Sequence, residues 1–129
     1  MVASLLAISV GASLGAILRW GFSVALNAVF PLIPLGTLVA NLFGGYCIGV
    51  AVGVFDEFAQ LGPEWRLLII TGFLGGLTTF STYSAEVASL VQQDRFLFAI
   101  AAIAAHNIGS LFMTFLGIGS FTLVKSLFQ

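Results

Sequence analysis

Charged residues divide this chain into four long uncharged tracts, and their spacing predicts its elements. Met1 to Leu18, Trp20 to Phe55, Leu67 to Ala85 and Phe96 to Val124 carry no Asp, Glu, Lys or Arg. A helix needs about 20 mostly apolar residues to cross a bilayer. Four transmembrane helices are therefore expected, at about residues 3–26, 35–55, 64–93 and 96–123. Pro31 and Pro34 interrupt helical bonding in the first connection, the segment ending at Gly62 and Pro63 forms the second, and Asp94 and Arg95 make a tight third turn. Gly11 and Gly15 in the first helix, and Gly45, Gly49 and Gly53 in the second, recur every fourth residue. That spacing lets helix backbones approach closely in a membrane.

The third tract departs from a plain membrane span. From Thr71 to Ser84 it reads TGFLGGLTTFSTYS, with Gly72, Gly75 and Gly76 followed by five hydroxyl residues among which Phe80 and Tyr83 are set. Adjacent glycines weaken a helix, and a run of hydroxyls has no use against lipid. The expectation is a helix broken near residues 75–79, at Gly75 and Gly76. A break frees backbone carbonyls that protein, water or a cation must satisfy, and the half-helix that follows presents N–H groups that favour an anion. At 100° per residue Phe80, Tyr83, Ser84 and Val87 share one face, with Thr79, Thr82 and Glu86 roughly opposite. Such a segment belongs at the centre of an assembly.

Composition agrees with the pattern. Only 7% of the 129 residues are charged, and soluble domains carry roughly 25%. The lone Cys47 excludes an intramolecular disulfide, and the absence of a basic cluster argues against nucleic-acid binding. The N-terminal apolar run lacks the basic start of a secretory signal, so it is read as part of the mature protein. Arg66 and Lys125 fall on one side of the membrane, Arg19 and Arg95 on the other. Two against two removes the usual orientation bias. Copies inserted in both senses can then pair about an in-plane twofold axis, which points to an antiparallel homodimer.

Polar groups inside a span are functional candidates because they are costly there. Arg19 reads either as a snorkelling residue beside Trp20 or as part of an ion vestibule. Asn41 either bonds across helices or offers its amide hydrogens to an anion. Glu86, the one carboxylate well inside a span, is a proton relay, a group at the wet end of a vestibule, or one bonded to a neighbouring hydroxyl. His106 has no partner at metal spacing and reads as a packing or hydrogen-bonding residue. No triad, metal cluster or phosphate loop is present, so an enzyme is not expected.

Four motifs in chain order resemble the CrcB/Fluc family of fluoride channels: GASLGAILRW at residues 11–20, GTLVANLFGGYCIG at 36–49, GFLGGLTTFSTYSAE at 72–86 and HNIGSL at 106–111. The resemblance implies a passive fluoride channel of a prokaryotic inner membrane that confers fluoride resistance, built as a dual-topology homodimer with two pores. It implies a structural sodium ion between subunits, held by the Gly75 and Thr78 carbonyls. It further implies an aromatic box of Phe80 and Tyr83, a pore-side Asn41, a vestibule arginine at Arg19, and a polar track of Ser81, Thr82, Ser110 and Thr114; Glu86, by its own position, is placed at the vestibule with Arg19. Tyr83 departs from the phenylalanine usual at its position. The rival reading is a small proton-coupled multidrug exporter using Glu86, although such exporters carry their carboxylate in the first helix, where this chain has none.

Overall fold

The computed structural model describes residues 1–128, and those residues contain helices and turns but no strand. Four helical spans are long and apolar enough to cross a membrane: Val2–Leu26, Leu35–Glu57, Pro63–Gln92 and Phe96–Leu127. The first is α1 and the second α2. The third comprises α3, residues 63–77, and α4, Phe80–Gln92; the fourth is α5, Phe96–Leu127. The chain is a multi-pass membrane protein, and its outer surface follows from that. Ile17, Trp20, Leu111 and Phe115 all lie exposed, as lipid-facing side chains should. The buried core is correspondingly thin, centred on Ala40, Leu74 and Leu77, with Ala51 and Phe55 beside them.

Two glycine-lined helix pairs form the framework. A methyl group added at Gly76 would come 2.9 Å from the Ala12 Cα, and one at Gly11 would come 2.8 Å from the Phe73 nitrogen, so α1 and α3 touch backbone to backbone. The second pair joins α2 to α5. A methyl at Gly45 would sit 2.9 Å from the Ser110 carbonyl oxygen, and one at Gly117 would sit 3.0 Å from the Val50 nitrogen. Between lipid-like surfaces there is little hydrophobic drive to associate, so such close packing is what holds the helices together.

The third span is bent, and the bend lies just past the glycine pair. Leu67–Leu74 is wound as a π-helix, a wider turn often found near functional sites. Gly75 and Gly76 stay helical, with Gly75 at φ −64°, ψ −37°. Helical angles are lost only at Thr78 (φ −80°, ψ 155°) and Thr79 (φ −151°, ψ 120°). The span thus bends within the expected residues 75–79, at Thr78 and Thr79, while Gly75 and Gly76, the residues expected to interrupt it, stay helical. Gly76 is spent on contact with α1, and it is Thr78 and Thr79 that take the extended conformation. Thr79 is not part of a helical face with Thr82 and Glu86 but the N-cap of α4, its hydroxyl accepting the Thr82 N–H at 3.2 Å. The span ends at Gln92, and Asp94, with a φ of 58°, turns the chain into α5.

Candidate functional site

Extended backbone inside a membrane leaves polar groups that must find partners. Thr79 finds them in Asn41, on α2. The Thr79 N–H donates to the Asn41 Oδ1 at 2.7 Å, and the Asn41 Nδ2 donates back to the Thr79 carbonyl at 3.0 Å. One side-chain amide thus serves both sides of one peptide residue, as a neighbouring strand would. The second Asn41 amide hydrogen faces the His106 Nδ1 at 2.9 Å. His106 is 4% exposed, and its Nε2 has no partner among the described residues.

Tyr83 lies flat against His106, with ring centroids 4.6 Å apart and planes 25° off parallel. Its hydroxyl accepts the Asn107 Nδ2–H at 2.9 Å, and that nitrogen also donates to the Ile103 carbonyl. Phe80 stands edge-on to Tyr83 at 5.4 Å. Their exposures differ sharply: Tyr83 is 7% exposed and Phe80 75%. Only the outer ring of the pair is open to a neighbour.

These groups line an open cleft of about 570 Å³ between α2, the bend and α5. Asn41, Gly75, Thr78, Phe80, Tyr83, Ser110 and Thr114 all border it, and so do His106 and Asn107. His106, Ser110 and Thr114 follow one another at four-residue intervals along α5, which puts them on one helical face. Arg19, Ser81, Thr82 and Glu86 are not part of its lining. Ser81 and Thr82 lie exposed at the start of α4, Arg19 is half-buried on α1, and the Glu86 carboxylate accepts the Thr37 hydroxyl at 2.6 Å. Thr37, fully enclosed on α2, drew no attention in the sequence; its pairing with Glu86 spans 49 positions and leaves no local signal. Asn107 has one indirect signal in the sequence, the unusual phenol at position 83, which needs a polar neighbour when buried.

The bend also releases carbonyls at two of the predicted positions. A continuous helix would give the Gly75 oxygen to the Thr79 N–H and the Thr78 oxygen to the Thr82 N–H. Here the first N–H goes to Asn41 and the second to the Thr79 hydroxyl. Both residues border the cleft, and Gly75 is exposed.

A bundle of four apolar spans with a bent third helix and a polar-aromatic cleft set between them has the build of a channel or transporter. The family model described as CrcB-like protein, Camphor Resistance (CrcB) matches residues 6–118, and the chain belongs to that family. It is 58% identical over its full length to a protein of Desulfovibrio desulfuricans named fluoride-specific ion channel FluC, the alignment covering all of both chains. Proteins of the same name from Pseudomonas putida (58% identity, 97% of this chain and 98% of the relative) and Tolumonas auensis (60%, with the same coverage) are similarly alike.

Proposed function

We propose that this chain forms a passive, fluoride-selective channel in a bacterial inner membrane and lets cytoplasmic fluoride leave the cell. The observation that carries the reading is the cleft wall, where the Phe80 and Tyr83 rings stand edge to face beside Ser110 and Thr114. Ring edges carry the positive part of the aromatic quadrupole and the Ser110 hydroxyl can donate a hydrogen bond, whereas the Thr114 hydroxyl already donates to the Ser110 carbonyl at 2.9 Å and offers the cleft its oxygen. Together they replace part of the water that a small anion gives up on entering a narrow pore. The names of the full-length relatives point to the same ion. An inside-negative potential supplies about 2.3 kcal/mol per charge per 100 mV, so expulsion of an anion needs no pump.

One copy leaves the cleft open on one side, with Phe80 and Gly75 uncovered. An antiparallel second copy would close that side and give a two-pore homodimer, with the exposed Ser81 and Thr82 turned to the partner and Arg19 and Glu86 toward the vestibules. The released Gly75 and Thr78 carbonyls suit a sodium ion shared across the twofold axis, since Na+ is a hard cation that takes oxygen ligands. Such an ion would hold the two bends together and supply no chemistry to the anion.

Purified protein in liposomes loaded with potassium fluoride, with efflux started by a potassium ionophore and followed by a fluoride electrode, tests the proposal. Fluoride efflux without chloride efflux and without a proton gradient supports it. Efflux that requires a proton gradient and is lost in Glu86→Gln would favour an exporter instead. A tag found on both faces of the membrane and two bleaching steps per particle support the antiparallel dimer; one face or one step refutes it. Replacing sodium by an organic cation should lower flux if the carbonyl site is structural.

A further inference from the structure

The orientation of the Asn41 amide follows from its partners. The Thr79 backbone N–H is only a donor, so the Asn41 atom facing it at 2.7 Å is the carbonyl oxygen, and the other end carries the two amide hydrogens. One hydrogen goes to the Thr79 carbonyl. The other points to the His106 Nδ1 at 2.9 Å, so that nitrogen must accept. A neutral imidazole accepting at Nδ1 carries its proton on Nε2. Both Asn41 hydrogens are then committed inside the protein, and neither is free for an ion.

We infer that Asn41 and His106 are a positioning pair: Asn41 replaces the helical partners that Thr79 has lost, and His106 Nδ1 fixes the orientation in which it does so. Turning the amide over would set its NH2 against the Thr79 N–H and its oxygen against the Thr79 carbonyl. Both bonds would be lost. The acceptor at His106 stabilises the productive orientation, and the Tyr83 ring stacked on the imidazole holds that acceptor in place. The bend is thereby kept where it sets the Thr79 cap and, one residue later, the start of α4 with Phe80 on the cleft.

The flux arm of the test rests on the channel reading; the spectroscopic arm does not. His106 is the one histidine of the chain, so protein labelled with 15N-histidine gives a single pair of ring nitrogens. The expected pattern is a proton on Nε2, the nitrogen coupled to both ring C–H protons, with Nδ1 bare; Asn41→Leu should shift the ring toward a mixture of tautomers. A proton on Nδ1 in the unsubstituted protein would overturn the pair.

For flux, His106→Asn places an oxygen on Cγ where Nδ1 was, His106→Gln carries its polar atoms one bond further out, and His106→Phe keeps only the ring. Orphaning a buried amide hydrogen implies a loss of about tenfold or more in the Gln and Phe variants, with the Asn variant within about threefold of the parent. Any order in which the Asn variant fails to exceed the other two overturns the inference. If the parent itself passes no fluoride, the channel reading fails while the tautomer result still decides the pair.

Discussion

Tyr83→Phe separates the ring of residue 83 from its hydroxyl. The substitution removes an oxygen that accepts one Asn107 hydrogen at 2.9 Å, while the same nitrogen keeps its bond to the Ile103 carbonyl at 2.8 Å. Asn107 is exposed on one copy and borders the cleft, so its freed hydrogen faces the cleft rather than being sealed in a packed core. Hydrogen bonds between membrane helices average about 0.6 kcal/mol, and the change in stability should be of that size, about a threefold shift in a folding equilibrium. The stack on His106 and the edge contact with Phe80 involve the ring alone and survive. Flux should therefore be equal to the parent or higher, because the ring edge stays and a bulky polar atom leaves the cleft. Tyr83→Leu loses the ring and should lower flux about tenfold or more, the stack and edge contacts being worth about 0.5–1.5 kcal/mol each beyond burial. Ionophore-started fluoride efflux at matched protein density measures both. A Tyr83→Phe protein that folds but loses more than about tenfold in flux would refute the reasoning, since the hydroxyl and not the ring would then be the group the ion meets.

Other substitutions probe separate parts of the argument. Gly76→Val drives a side chain into the Ala12 backbone and should cost about 2 kcal/mol or more, whereas Gly21→Ala, with nothing within 4 Å of the new methyl, should be neutral or up to about 1 kcal/mol stabilising; reversible unfolding by steric trapping compares them, and equal effects would refute the close-packing account. Phe80→Ile removes the exposed ring of the edge-to-face pair and should reduce fluoride efflux about tenfold with the oligomer intact by light scattering; unchanged efflux would remove Phe80 from the pore. Glu86→Gln keeps an oxygen to accept the Thr37 hydroxyl, so fluoride efflux should persist within about threefold and remain independent of a proton gradient. Its abolition would make the carboxylate charge part of transport.

Which parts of this architecture could be read from the chain depends on the range of the forces involved. The spans follow from local composition, because a bilayer excludes charge wherever it falls. The α5 stripe of His106, Ser110 and Thr114 is legible for a related reason, as four-residue spacing puts side chains on one face whatever lies opposite. The bend is different. Adjacent glycines signal weakness, and the obvious place for it is Gly75–Gly76, but a glycine in a membrane helix serves close packing as readily as flexibility. The Ala12 backbone claims Gly76, and the geometry passes to Thr78 and Thr79.

What fixes the bend at Thr79 is a partner 38 positions away. In water an extended residue between two helices could hydrate its peptide groups; at mid-membrane an unpaired N–H or C=O costs several kcal/mol. A side-chain amide offers a donor and an acceptor side by side without carrying charge or needing a proton, so an asparagine on a neighbouring helix selects which residue leaves the helix. The same selection decides which carbonyls are released. Because Asn41 takes the Thr79 N–H, the Gly75 oxygen loses its helical donor; because the Thr79 hydroxyl caps Thr82, the Thr78 oxygen loses its own. The bend, the cap and the two freed carbonyls are consequences of one pairing, and a substitution that breaks Asn41 from Thr79 should disturb all three together.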